Sequence, residues 1–150
     1  MGPITTIRGP ACPLDRDNVD TDQLCAARFM KRRRSEGYAD ALLHDLRFNA
    51  DGSQRPNPID ASPGPFLVAG RNFGGGASRE AAVYAVVDAG FRVVVATSFG
   101  DIFAANAARN GLVPARVDEP GFALLLTAAR QGRELTLDLA ECAISAGNAW

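Results

Sequence analysis

Phe66-Leu67-Val68-Ala69-Gly70-Arg71-Asn72-Phe73-Gly74-Gly75-Gly76-Ala77-Ser78-Arg79-Glu80 passes from an apolar strand pattern, Phe66 to Ala69, through three consecutive glycines into an alanine- and valine-rich helical pattern. Glycine lets the backbone turn tightly and come close to a ligand. The helix that follows aims its unpaired N–H groups and positive dipole end at the same place. Ser78 adds a hydroxyl, and Arg79 adds a permanent forked cation that can grip a carboxylate through two parallel hydrogen bonds. The segment lacks the Lys-Ser/Thr ending of a P-loop, and its glycines miss the dinucleotide-binding spacing. Two readings remain at this point: a carboxylate or phosphate site, or a plain strand-to-helix turn carrying a solvated arginine.

Downstream the alternation is regular. A helix near Arg79 to Ala89 stops at Gly90, a strand covers Arg92 to Ala96, and a helix from Phe99 to Asn110 stops at Gly111. Ser98 is the expected N-cap of that second helix, with Asp101 favouring its positive end. Leu112 to Val117 gives a short strand interrupted by Pro114. Asp118-Glu119-Pro120 opens a helix with Phe122, Leu125, Leu126 and Ala129 on one face, and Leu135, Leu137 and Leu139 alternate as a final strand. Upstream, Asp51 to Pro65 holds four prolines and two glycines and reads as an exposed loop between two halves. Ile4 to Leu14, broken by Pro10 and Pro13, suggests short edge strands. Strands alternating with helices imply an α/β fold with a compact, mostly parallel sheet flanked by helices.

With 150 residues and 47% apolar content, the chain is expected to bury one core as a single domain over 1–150. A net charge of −1 argues against a nucleic-acid partner. The run Lys31-Arg32-Arg33-Arg34 is the exception, read as a solvated helix end or loop against an RNA or membrane contact. Cys12, Cys25 and Cys142 give neither a disulfide framework nor a metal-ligand cluster, which suits a reducing cytoplasm. No apolar stretch approaches the roughly 20 residues of a membrane span, so a soluble protein is expected.

Three separated segments resemble one family in the right order, the small subunit of 3-isopropylmalate dehydratase. Asn18-Val19-Asp20-Thr21-Asp22-Gln23 resembles its amino-terminal signature, and Asn72 to Glu80 its Asn-Phe-Gly-x-Gly-x-Ser-Arg-Glu loop. Ser98 to Phe103 with Asn110-Gly111-Leu112 resembles its next stretch, and Leu43 to Phe48 a further segment. The resemblance implies the swivelling β/β/α domain of the aconitase superfamily, which caps a cleft whose 4Fe–4S cluster belongs to a separate large subunit. The three cysteines here are too widely placed to hold a cluster. Family members continue beyond the final strand, whereas this sequence stops at Trp150.

The resemblance also implies site roles. Arg79 becomes the clamp for a substrate carboxylate, with Gly74, Gly75 and Gly76 beside it, and Asp20, Thr21, Asp22 and Asn72 support the loop or the subunit interface. A short loop at Arg28, Phe29 and Met30 would choose the substrate, the two apolar side chains either meeting an isopropyl group or serving as core. The family's catalytic base is the first of two loop serines, but that position holds Ala77, leaving Ser78 as the candidate. Gly75 stands where cysteine or a polar residue is usual, Ala81 where histidine is usual, and Cys25-Ala26 replaces an apolar-proline pair. Either Ser78 acts as base, or the chain is a paralogue with altered or absent activity. A related dicarboxylate hydro-lyase is the remaining alternative.

Overall fold

The computed structural model describes residues 6–61, 64–76, 80–141 and 143–146. Along these residues run β1 (Thr6–Gly9), β2 (Ala11–Pro13), α1 (Thr21–Leu24), α2 (His44–Arg47), α3 (Pro58–Ala61), β3 (Phe66–Val68) and α4 (Glu80–Asp88). β4 (Val93–Ala96), α5 (Asp101–Arg109), β5 (Val113–Arg116), α6 (Glu119–Arg130), β6 (Leu135–Asp138) and β7 (Ala143–Ala146) follow.

β2, β3, β4 and β5 pair in that order as a parallel sheet, with Phe66 opposite Val93 and Val94 opposite Pro114. The period-2 alternation of these strands sorts their side chains between two cores. Leu67, Ala69, Val94 and Ala96 face α4 and α5, meeting Val83, Val86, Phe103 and Ala107. Phe66, Val68, Val93 and Val95 face the other way, onto Leu125 and Ala129 of α6 and Leu135 and Leu137 of β6. Burial on both faces is why β3 and β4 read as unbroken apolar runs.

The expected parallel sheet flanked by helices is present, and a second sheet stands beside it. β1, β6 and β7 form a separate antiparallel sheet, with Ile7 opposite Leu137 and Leu137 opposite Ile144. Leu135 to Leu139 is therefore not the last strand. β1 and β2 lie at sheet edges, and an edge position suits Pro13 at the end of β2.

Ser98 is a second correction. The N-cap of α5 is Gly100, which makes no side-chain capping bond. The Ser98 hydroxyl instead accepts the backbone N–H of Asn72 at 2.8 Å, so a residue of cap type is committed to a tertiary contact. The proline-rich stretch also holds structure, since α3 begins at Pro58, buries Ile59 and has the Asn57 side chain accepting the Asp60 N–H at 2.9 Å.

Between β2 and β3 the chain makes one-turn helices that would not survive alone, because nucleation costs more than a single turn returns. Arginine–aspartate pairs tie them down. Arg32 forks onto Asp40 at 2.6 and 2.8 Å, and Arg34 reaches Asp88 at 2.7 Å while lying 4.5 Å from the Tyr84 ring centre. The basic run is thus partly spent on carboxylates of its own chain. Arg47 is the most enclosed of these arginines, donating to both Asp60 oxygens at 3.2 and 3.0 Å and to the carbonyls of Ala39 and Leu42 at 2.7 and 3.0 Å.

Burial pushes the Asp60 carboxyl up, but its bonds from Arg47, Asn57 and Gln54 outweigh that and hold it below its ordinary 3.8. Asp40 is lowered by its bond from Arg32. Carboxylates depressed on folding stabilise the fold fully above that ordinary value, and the contribution is lost as pH falls below it. Arg47→Ala should therefore cost about 2 kcal/mol near pH 7, since it strands a partly buried carboxylate and two carbonyls, and less near pH 3, where the carboxylate share shrinks and the carbonyl share stays. Urea melts at the two pH values measure this; an equal loss at both would show that Arg47 acts through its carbonyl bonds and packing and not through Asp60.

Candidate functional site

Beyond the carboxyl ends of the parallel strands the backbones stay zipped together. The Arg16 N–H donates to Ala69 O at 2.7 Å, Asn18 N–H to Arg71 O at 2.8 Å and Gly74 N–H to Val19 O at 2.7 Å. Thr21 N–H reaches Gly75 O at 2.9 Å, Phe73 N–H reaches Ser98 O at 3.1 Å and Gly100 N–H reaches Phe73 O at 2.9 Å. Three segments far apart in sequence, around residues 18–23, 72–76 and 98–103, thus become one platform at the strand end where open α/β sheets bind ligands.

Each support residue has a definable task. Asp20 closes a capping box on α1, accepting the Gln23 N–H at 2.8 Å while the Gln23 side chain accepts the Asp20 N–H at 3.0 Å. Thr21 is buried beneath the glycine loop. Asn72 adopts φ 54°, a left-handed conformation that asparagine tolerates, and its side-chain amide donates to the Asn18 side-chain oxygen at 3.1 Å.

The glycine loop is fitted against α5. Gly74 has φ 78°, and a Cβ there would lie 2.3 Å from Phe103 Cγ. Phe73 is fully buried, with its ring edge-on to Phe99 and Phe103 at centroid separations of 6.3 and 5.3 Å. Gly75 bridges to Asp20, and Gly76 has φ 96°. Ala77, Ser78 and Arg79 lie outside the described residues. Where the chain resumes, Glu80 accepts from the Tyr84 hydroxyl at 2.7 Å and from Arg109 Nη2 at 3.1 Å, and these bonds lower its carboxyl pKa. Arg109 also donates to the side-chain oxygen of Asn106, a buried residue. Both ends of the loop are therefore tied to α5, the first at Phe103 and the second at Arg109. Tyr84 and Arg109 were missed from sequence. The i, i+4 spacing of Glu80 and Tyr84 was a readable signal; the Arg109 contact across helices was not.

A cavity of about 390 Å³ opens beside α1. Its apolar wall comes from Val19, Ala26, Leu43 and Leu46, and its polar rim includes Arg16, Asp22, Arg28 and Arg55. Arg28 and Asp22, both singled out in the sequence, meet here. Phe29 does not line the cavity: it is partly buried against the core, with the Arg28 and Arg32 guanidinium carbons 4.6 and 5.1 Å from its ring centre and the His44 ring centre 4.9 Å away. Met30 is 37% exposed and also lies outside the lining. The apolar lining of the cavity is thus supplied by Val19, Ala26, Leu43 and Leu46, none of which the sequence reading gave a task there.

An iron–sulfur cluster is not suited to the described residues of this chain. Cys12 and Cys25 are both buried, and burial with Asp60 nearby pushes the Cys12 thiol up to about 12, so it resists the thiolate form a cluster needs. Among the described residues no group of three or more His, Cys, Asp or Glu side chains could hold a metal ion. No described helix is long and apolar enough to cross a membrane.

Comparison with known proteins gives a consistent answer. The aconitase C-terminal domain family matches residues 1–120. A 3-isopropylmalate dehydratase small subunit of Shouchella clausii is 42% identical over 146 residues, covering 94% of this chain and 74% of the relative. One from Anaeromyxobacter dehalogenans is 48% identical over 132 residues, covering 85% of this chain and 69% of the relative. Among solved structures, 3-isopropylmalate dehydratase of Methanocaldococcus jannaschii superposes with a TM-score of 0.68 at 29% identity, over 93% of this chain and 74% of that one.

Proposed function

The chain belongs to the family of 3-isopropylmalate dehydratase small subunits, within the aconitase C-terminal domain family, and from this we propose that it helps isomerise 2-isopropylmalate to 3-isopropylmalate in leucine biosynthesis. The reaction is a dehydration followed by rehydration, carried out in the cytoplasm together with a large subunit that holds a 4Fe–4S cluster. The observation that carries this reading is the platform itself: the segments that resemble the family's signatures are hydrogen-bonded to one another around the glycine loop.

The bound cluster, on the partner, supplies Lewis acidity toward the departing hydroxyl. This chain contributes an anion clamp and the candidate base. Arg79 holds a substrate carboxylate through two parallel hydrogen bonds with the Gly74 to Gly76 backbone beside it, and Ser78 takes the carbon-bound proton next to that carboxylate. Returning the proton to the other carbon as water adds back completes the isomerisation. The walls that Val19, Leu43 and Leu46 give the neighbouring cavity suit a branched alkyl group.

The subunit alone is expected to be inactive, and reconstitution with a cluster-loaded large subunit to give hydration of the unsaturated intermediate, followed by its absorbance. A complex of verified cluster content that hydrates neither this intermediate, citraconate nor maleate would overturn the reading. Ala77 favours one alternative, a binding or regulatory paralogue that keeps the anion loop without the base. A turnover preference for citraconate or maleate would instead mark a related dicarboxylate hydro-lyase.

A further inference from the structure

Arg28 stands on a single helical turn, Ala27–Phe29, at the rim of the 390 Å³ cavity. Its guanidinium meets one carboxylate oxygen, with Nη2 to Asp45 Oδ1 at 2.6 Å. A guanidinium carries five N–H donors in a planar fork, so this contact uses little of what Arg28 offers. The side chains are 53% and 78% exposed, and a pair so exposed exchanges readily for a better acceptor. The guanidinium also lies over the Phe29 ring, its carbon 4.6 Å from the ring centre, a contact that does not involve Asp45. Arg55 donates to the Asp45 backbone carbonyl at 2.8 Å, which keeps the start of α2 in position independently of the Asp45 side chain.

We propose that Asp45 is a stand-in carboxylate: it occupies Arg28 in the free subunit and yields it to one carboxylate of a small dicarboxylate substrate. The inference rests on the dehydratase reading for the identity of that substrate. The incoming carboxylate wins by engaging the fork through two parallel bonds where Asp45 makes one. Asp45 thereby acts as a specificity residue, since an anion that offers a single weak acceptor does not displace it.

The test is a titration of the isotopically labelled free subunit with 2-isopropylmalate, following the Arg28 side-chain N–H resonance. Asp45→Asn and Asp45→Ala should each bind about two- to fivefold more tightly than the parent, the range set by the modest strength of an exposed pair. Arg28→Ala should erase that gain. In the cluster-loaded complex the KM of both Asp45 variants should fall by the same factor. Unchanged or weaker binding in both Asp45 variants would overturn the proposal, as would an Arg28 resonance that does not respond to substrate. Because the titration needs no turnover, a catalytically silent complex would reject the hydro-lyase reading without deciding this one.

Discussion

Ser78→Ala, assayed in a complex with a cluster-loaded large subunit, is expected to lower kcat by about 10²- to 10⁴-fold, the usual contribution of a general base. Ser78 carries the one hydroxyl between Gly74 and Glu80, and the methyl group of Ala77 cannot accept a proton. The effect should fall on kcat more than on KM, because the Arg79 fork would still bind the substrate carboxylate. Arg79→Lys should show the opposite balance, raising KM through loss of the two-bond geometry, so kcat and KM measured separately distinguish the two roles. Both variants should keep the parent melting temperature, since the ends of the loop are secured elsewhere, at Phe103 and at Arg109. Ala77→Ser provides the counter-test. Little change assigns the proton to Ser78, whereas a rise of comparable size from a silent parent would assign the base to position 77 and make this chain the paralogue that lost it.

The parts of the fold that sequence revealed are those whose local pattern and tertiary role coincide. Phe66 to Val117 is legible because β3 and β4 are buried on both faces and the helices stop at Gly90 and Gly111, both at positive φ. The one-turn helices between β2 and β3 are not, because their stability comes from Arg32–Asp40 and Arg47–Asp60 contacts whose partners are 8 and 13 residues apart. β7 was missed for a different reason: Ala143 to Ala146 is weakly patterned and gains its strand conformation from pairing with β6. At the site, the glycine turn was legible as local chemistry, whereas Asp20 was reached only through the family resemblance and its capping box came from the structure. The Ser98 hydroxyl was misassigned because its type favours a cap while its position, opposite Asn72, favours the loop. Phe29 and the cavity wall show the same limit. An apolar residue in a motif can face a ligand or the core, and only packing decides.

Gly74→Ala should be the most destabilising single methyl addition in the loop. The added Cβ would sit 2.3 Å from Phe103 Cγ and 2.6 Å from Phe103 Cβ, and the Phe103 ring has little room to retreat, being 3% exposed and held edge-on by Phe73. The φ of 78° adds the strain of a left-handed residue. Together these should cost about 3–4 kcal/mol, combining overpacking with the left-handed penalty. Gly111→Ala separates the two contributions: its φ of 76° is nearly the same, but no atom lies within 4 Å of its added Cβ. It should lose only the conformational share, about 1–2 kcal/mol. Urea melts of the two variants therefore read the steric clash as a difference, and equal losses would mean that α5 gives way to the added methyl. The clash at Phe103 would also disturb the neighbouring Phe73 and Gly75, so Gly74→Ala should impair turnover in the complex, while Gly111→Ala should not.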